Sequence, residues 1–289
     1  MKLSNNPGSR RVRAVREELR RNTGTLFCIG FLLIVAGFSV FAFLLPNRPN
    51  TIDTSHIFQA PTLRHPFGTD ELGRDYLTRT IYGGRISLLI GLLSMCLSTF
   101  IGVVAGTVSG YFGGVIDNVL MRLVDVMSSI PQLILIIVAG VFLRPGFQTI
   151  CLVIGLLSWM EMARLVRAET LTVKEREYVL YAVASSERAP AVILRHIIPS
   201  ILPTILVCST TSIANAILTE SSLSFLGLGV QQPMSSWGSL LQNAQQNLQS
   251  APYMAILPGL LIVLTIFSFN RLGELLRLIA EPQTALQKG

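Results

Sequence analysis

The stretch that decides the fold runs from Ala163 to Pro203 and reads ARLVRAETLTVKEREYVLYAVASSERAPAVILRHIIPSILP. We call this stretch the island, because it is rich in charge and lies between two long apolar runs. Its apolar centre, residues 178–184, has charged residues on both sides. As a helix this centre is far shorter than the roughly 30 Å core of a bilayer, so it does not cross the membrane. Its apolar face must be buried at the membrane surface, among headgroups as an amphipathic connector, against its own helical bundle or against a partner protein.

Composition indicates that most of the remaining chain is embedded in lipid. Charged residues make up 13% of the 289 residues, about half of the share in a soluble protein, and the mean hydropathy is +0.57. The isoelectric point of about 9.6 would suit nucleic acid. However, the basic residues cluster at the ends of apolar runs without interleaved aromatic residues. The sequence therefore predicts an all-α integral membrane protein.

The apolar runs divide the chain into segments. They predict a basic cytoplasmic segment at 1–24, a first transmembrane helix at 25–45, an external loop at 46–85, a five-helix core at 86–273 and a cytoplasmic tail at 274–289. Spans of the core are expected at 86–108, 119–143, 148–162, 201–218 and 253–269. Seventeen of the 23 Lys and Arg residues then lie on one side of the membrane and six on the other. The positive-inside rule therefore predicts six transmembrane helices with both termini in the cytoplasm.

The external loop contains a group of polar residues. Gly68 and Gly73 permit tight backbone turns, and we expect Asp70, Arg74 and Asp75 to tie the loop to itself through charge-assisted hydrogen bonds. The acidic residues and two nearby histidines also allow a metal site, but an arginine among them argues against it. We therefore predict no metal here.

Ionisable and helix-breaking residues inside the spans are candidates for a pathway or for structure. Pro131 is expected to kink its span, which a transport path uses or neighbouring helices tolerate. Glu220 either lines a pathway or accepts hydrogen bonds from nearby amides and serines. Asp117, Arg122 and Asp125 are expected to pair with one another near the interface, with a proton relay as the alternative.

Three further expectations concern an ion pair, a tryptophan and the cysteines. Glu161 and Arg164 are spaced i, i+3 and predict a local ion pair. Trp237 lies in an external stretch without Lys or Arg and is expected to anchor at the membrane interface. No CxxC spacing or nearby histidine accompanies the cysteines, which we interpret as small core residues: Cys28, Cys96, Cys151 and Cys208.

Motifs for catalysis are missing from the sequence. No GxxxxGK[ST], HExxH or GxSxG pattern occurs in it. We therefore predict a conduit, not an enzyme, with no catalytic residue, metal or cofactor of its own.

Several separate motifs between about Leu26 and Pro282 match one family pattern. They are HPFGTDELGRD at 65–75, YGGRISL at 82–88, YFGG at 111–114, LSFLGLG at 223–229 and NRLGE at 270–274. With these motifs the chain resembles the permease subunits of bacterial ABC importers of the oligopeptide/dipeptide/nickel class. The resemblance implies a multi-pass protein of the bacterial inner membrane. It also assigns an external-loop motif to Gly68, Thr69, Asp70, Gly73, Arg74 and Asp75.

In that class the island corresponds to the EAA loop, at about 163–200 here, whose short coupling helix docks in a cleft of the ATPase subunit. This chain departs from the pattern, because Leu180 and Tyr181 stand in place of its glutamate and first alanine, and Ser186 in place of its glycine. Docking is therefore expected to depend on a stripe of Tyr178, Tyr181 and Ala182 and on flanking charges. The resemblance assigns coupling to Glu177, Tyr178, Tyr181, Ala182, Ser186, Arg188, Arg195 and His196.

The resemblance also implies partners. These are a homologous second permease, two ATPase subunits or domains that bind ATP and Mg²⁺, an external solute-binding protein and membrane lipid, but no nucleic acid. Peptides are the expected cargo, with nickel or another metal chelate as the alternative, because no histidine or methionine cluster follows a continuous path. A self-sufficient secondary transporter, which needs ionisable or discontinuous helices near mid-bilayer, and a membrane scaffold are the competing hypotheses.

Overall fold

The computed structural model describes residues 22–45, 48–143 and 146–280. The predicted basic segment up to residue 21, the turn at Arg144 and Pro145, and the tail beyond residue 280 lie outside these ranges. Within them the chain is helical and forms no β-strand. The helices in chain order are α1 (Thr23–Val40), α2 (Tyr76–Phe112), α3 (Gly114–Ser128), α4 (Gln132–Phe142), α5 (Phe147–Leu157), α6 (Trp159–Lys174), α7 (Glu177–Ala184), α8 (Ala189–Val192), α9 (Ile198–Phe225), α10 (Trp237–Gln245) and α11 (Tyr253–Ala280).

Five stretches of the described chain are long and apolar enough to cross a bilayer. They are Thr23–Leu44, Tyr76–Phe112, Phe147–Lys174, Ala189–Phe225 and Tyr253–Ile279. The pair α3 and α4 passes the same test only together, with a bend of 81° between its halves. The all-α membrane fold is confirmed, and the described chain has six spans when this pair is counted as one.

The spans are longer than the hydropathy pattern predicts. The external loop was expected to extend to residue 85, but α2 begins at Tyr76. Asp75 caps it by accepting a hydrogen bond from the Thr78 amide, 2.9 Å away. At the other ends, α9 continues to Phe225 and α11 to Ala280. Hydropathy detects only the part of a helix that faces lipid, whereas capping and packing determine where the helix ends.

The expected interruption at Pro131 is confirmed. Pro131 lies in an extended conformation, with φ −53° and ψ 124°, between α3 and α4. A second break, at Ser158 between α5 and α6, was not predicted, because one continuous helix was expected there. The Gln132 side-chain amide donates to the Ser158 hydroxyl at 2.6 Å. The two breaks therefore lie against each other.

The packing of α2 on α6 brings the island towards the bundle. Gly102, Gly106 and Gly110 repeat every four residues along α2 and face α6. A methyl group added at Gly106 would lie 2.6 Å from the Ala163 carbonyl oxygen. Small residues at this spacing allow close backbone approach between membrane helices. This contact sets the position of α6, and α6 leads directly into the coupling helix candidate α7.

Candidate functional site

The apolar centre of the island forms the short helix α7, as expected. It begins after Arg176, which is extended, and ends at Ser185. Ser186 then adopts φ 60°, in the left-handed region that glycine occupies most easily. This conformation explains why glycine is the usual residue at that place in the family pattern.

The two faces of α7 have different environments. Val179 and Ala182, with exposed fractions of 0% and 7%, pack in one core cluster with Val192 and Ile197. Four large side chains are exposed around the rest of the helix, with Leu180 and Tyr181 opposite the buried pair and Tyr178 and Val183 at its flanks. The expectation that Ala182 shares the exposed stripe is wrong, because its methyl group packs against other residues of this chain.

The carboxylate of Glu187 contacts two basic residues that follow α7, Arg195 and His196. It lies 2.9 Å from His196 Nε2 and 3.4 Å from Arg195 Nη1. Arg188 is exposed at the beginning of α8, and the Tyr178 hydroxyl lies 2.8 Å from that of Ser200. The structure thus brings Arg195 and His196 together at Glu187, and it places Tyr178 beside Ser200.

Two ion pairs connect α6, where the island begins, to α3. Asp117 receives two hydrogen bonds of 2.5 Å from the Arg167 guanidinium, and Asp125 lies 2.9 Å from Arg164. The predicted pairing among Asp117, Arg122 and Asp125 is therefore wrong. The predicted local pair of Glu161 with Arg164 is also wrong. In each case an arginine from α6 reaches an aspartate on α3.

The external loop is organised around the buried carboxylate of Asp70. Arg74 Nε lies 2.7 Å and Arg79 Nη1 2.5 Å from its Oδ2 atom, and the amides of Leu72 and Arg74 donate to Oδ1. Asp70, Arg74 and Arg79 are each less than 5% exposed. The predicted self-contacts of this loop are confirmed for Asp70 with Arg74. Sequence reasoning missed Arg79, which lies outside the loop motif.

The glycines of the loop motif are required by its backbone. Gly68 and Gly73 have φ angles of 71° and 69°, and a side chain on Gly73 would collide with the Asp53 carbonyl group. Between them, the carbonyl oxygen of Thr69 accepts a hydrogen bond of 2.7 Å from the Tyr253 hydroxyl on α11. The loop is thereby held on the end of the last span.

Asp75 joins the loop to α2. Burial alone would raise its pKa, but hydrogen bonds from Thr78 and His65 outweigh burial and hold the pKa of Asp75 below its ordinary value of 3.8. Because the folded state favours the charged form, the stabilising effect is fully present above pH 3.8 and is lost as the pH falls through the lowered pKa. At neutral and mildly acidic pH, Asp75 therefore stays charged and keeps its hydrogen bonds with Thr78 and His65.

Glu220 is fully buried where α2, α9 and α10 meet. Its carboxylate accepts hydrogen bonds from Ser224 at 2.7 Å and Ser87 at 3.0 Å. Of the two alternatives drawn from the sequence, the structure has the one in which serines bind the carboxylate. Trp237 packs beside it at 1% exposure and donates to the Thr80 carbonyl oxygen at 3.0 Å. The prediction that Trp237 anchors at the membrane interface is therefore wrong.

The cysteines lie in different environments. Cys28 and Cys151 are buried, Cys208 is half-buried and Cys96 is exposed, so Cys96 departs from the expected core position. In the described ranges no three His, Cys, Asp or Glu side chains are grouped so that they could hold a metal ion.

Comparison with known proteins defines the class of this chain. The family model described as "Binding-protein-dependent transport system inner membrane component" matches residues 98–278. The oligopeptide transport system permease protein OppC of Haemophilus influenzae is 37% identical over 272 residues, which cover 93% of this chain and 88% of that protein. The dipeptide transport system permease protein DppC of Bacillus subtilis is 37% identical over 259 residues, which cover 89% and 80%. The chain belongs to this permease family, and the resemblance seen in the motifs is confirmed.

Solved structures agree on the fold. An inward-facing structure of the MetNI methionine ABC transporter matches with a TM-score of 0.56 and 17% identity, covering 69% of this chain and 97% of that chain. At this identity the match concerns the fold alone. The family and the apolar helices together make the chain a multi-pass protein of the bacterial inner membrane.

Proposed function

We propose that this chain is the permease subunit of an ATP-driven importer and forms half of the translocation pathway for di- or oligopeptides. The observation that carries the proposal is the 37% identity with permeases of oligopeptide and dipeptide transport systems over most of the chain. An external solute-binding protein delivers the cargo, and a homologous second permease supplies the other half of the pathway.

Energy reaches the pathway through α7. Two ATPase subunits bind ATP and Mg²⁺, and their closure moves the coupling helix through its exposed face. The support for this role is the combination of an apolar outer face, in Leu180 and Tyr181, with an inner face locked into the chain's own core. A rigid connection of this kind transmits displacement to α6 and α9 instead of absorbing it. This chain itself supplies no catalytic group.

Both termini and the island lie in the cytoplasm, so impermeant thiol reagents should distinguish two cysteine variants in intact cells. Gln249→Cys, at an exposed external position, should be labelled, and Ser186→Cys at the exposed end of α7 should not. Ser235 is a poor external probe because it is only 6% exposed. Permeabilised cells serve as the control, since both cysteines should then react. Labelling of Ser186→Cys alone in intact cells would refute the orientation.

The ligand carried by the solute-binding protein decides whether the substrate is a peptide or a metal chelate. A pull-down on this permease with its partner subunits should recover the cognate solute-binding protein, and mass spectrometry of its bound ligand should identify peptides. The identity with permeases of oligopeptide and dipeptide transport systems supports a peptide over a nickel complex. A copurifying metal chelate would refute the peptide assignment and leave the importer class intact.

A further inference from the structure

A polar cavity lies where the two broken spans meet α9. Its volume is about 430 Å³, and its charged and amide lining residues are Gln132, Glu161, Arg164 and Asn215, beside serine and threonine hydroxyls. A second cavity of about 260 Å³ shares Ser158, Glu161, Ser212 and Asn215 with it. One continuous polar surface therefore borders both cavities, in a part of the molecule made of membrane-spanning helices.

Contacts with α2 give the depth of this surface in the membrane. Ser94 is the middle residue of α2, and its hydroxyl donates to the Cys151 carbonyl oxygen on α5 at 3.1 Å. Gly91, three residues away, packs against Ile217 of α9, which lies within the lining segment 212–219. The cavities are therefore near mid-span.

Glu161 is exposed to the cavity, and with the middle of α2 at the middle of the bilayer it lies within the hydrocarbon core. Its neighbour Met162 packs against Gly102 of α2, eight residues beyond Ser94. Eight residues of α-helix rise about 12 Å, which is less than the roughly 15 Å half-thickness of the hydrocarbon core. An ionisable side chain at this depth needs water, a partner or a ligand.

The carboxylate of Glu161 has no partner of its own within the described part of the chain. The arginine nearest in sequence, Arg164, is engaged by Asp125 at 2.9 Å, and neither a hydrogen bond nor an ion pair reaches Glu161. Asn215 is exposed, and Gln132 uses its amide nitrogen on Ser158, which leaves its carbonyl oxygen as an acceptor. The surface thus offers the unpaired Glu161 carboxylate and acceptors for N–H groups, while the Arg164 guanidinium on the same cavity is bound by Asp125.

We propose that this surface is a cargo-contact site, in which Glu161 binds the ammonium group of a passing peptide and Gln132 and Asn215 bind its backbone amides. The inference rests on the proposed function and assigns residues to it. A charge-assisted hydrogen bond suits the ammonium end, and neutral amide and hydroxyl groups suit a backbone of any sequence. Peptides of different side chains can therefore share one path.

The test uses the complete importer reconstituted in liposomes, with trialanine on its binding protein. Glu161→Gln should lower ATP-dependent trialanine accumulation roughly ten-fold, the effect of losing one hydrogen bond to a charged group. ATP hydrolysis stimulated by the loaded binding protein should stay within about two-fold of wild type, because the ATPase contact is remote. Glu161→Asp should retain most of the uptake. Asp53→Asn, which neutralises an exposed carboxylate outside both cavities and outside the coupling loop, is the matched control and should behave as wild type.

Three results would overturn the inference. Glu161→Gln accumulating trialanine at the wild-type rate would remove the cargo contact and leave the proposed function standing. Equal losses of uptake and ATP hydrolysis in Glu161→Gln would show a general defect of assembly instead of a pathway contact. A wild-type importer that accumulates no peptide would refute the proposed function, and the cargo site with it.

Discussion

Replacing Tyr181 by aspartate should release the ATPase subunits while leaving the permease folded and inserted. Tyr181 is 76% exposed at the centre of the outer face of α7. In the proposed complex this face is buried against the ATPase, so the new carboxylate would lose its water without gaining a partner. The expected cost is several kcal/mol, or at least about a hundred-fold in affinity. Copurification of the ATPase subunits with a tagged permease measures the loss.

Two kinds of control separate docking from folding. Val179→Asp places the same charge on the inner face of α7, where it should destabilise the permease itself and lower its yield from membranes. Gln249→Asp adds the charge to an exposed external position and should change neither yield nor copurification. If Tyr181→Asp retains its ATPase subunits and substrate-stimulated ATP hydrolysis, α7 is not the coupling element.

Replacing Asp70 by alanine should destabilise the external loop more than any change at its surface. The substitution leaves the guanidinium groups of Arg74 and Arg79 buried without their shared carboxylate. Removing one member of a buried ionic group costs about 3–5 kcal/mol. Purified Asp70→Ala should therefore show a clearly lower midpoint of thermal unfolding.

Asp53 provides the matched control for this variant. It lies in the same loop, and its side chain is exposed, where it pairs with His56. Because solvent screens exposed pairs, Asp53→Ala should leave the midpoint close to that of wild type. Equal midpoints for Asp70→Ala and wild type would show that the buried network does not stabilise the loop.

The sequence predicted those features that local pattern determines. An apolar centre between charges is sufficient to predict α7, and the spacing within GTDELGRD is sufficient to predict the contact of Asp70 with Arg74. Pro131 predicted the interruption between α3 and α4, because proline lacks the backbone donor that a helix needs. In each case the residues that carry the pattern lie in the same helix or turn as the feature they predict.

The features that were missed depend on packing between distant segments. A helical stripe shows which residues of α7 share a face, but only its seat against Val192 and Ile197 shows that Ala182 points inward. Ser158 breaks a span without proline, and its partner Gln132 comes from another helix. Trp237 is buried because its indole reaches the Thr80 carbonyl oxygen on α2, 157 residues away.

ATP-dependent uptake in liposomes tests the central claim most directly. The chain should be reconstituted with and without its partner permease, its ATPase subunits and a peptide-loaded binding protein, and labelled peptide inside the vesicles measured. We predict accumulation only when all components and ATP are present, and none with the chain alone. Peptide uptake by the chain alone without ATP, or none by the full assembly with ATP, would contradict the assignment as a peptide importer permease.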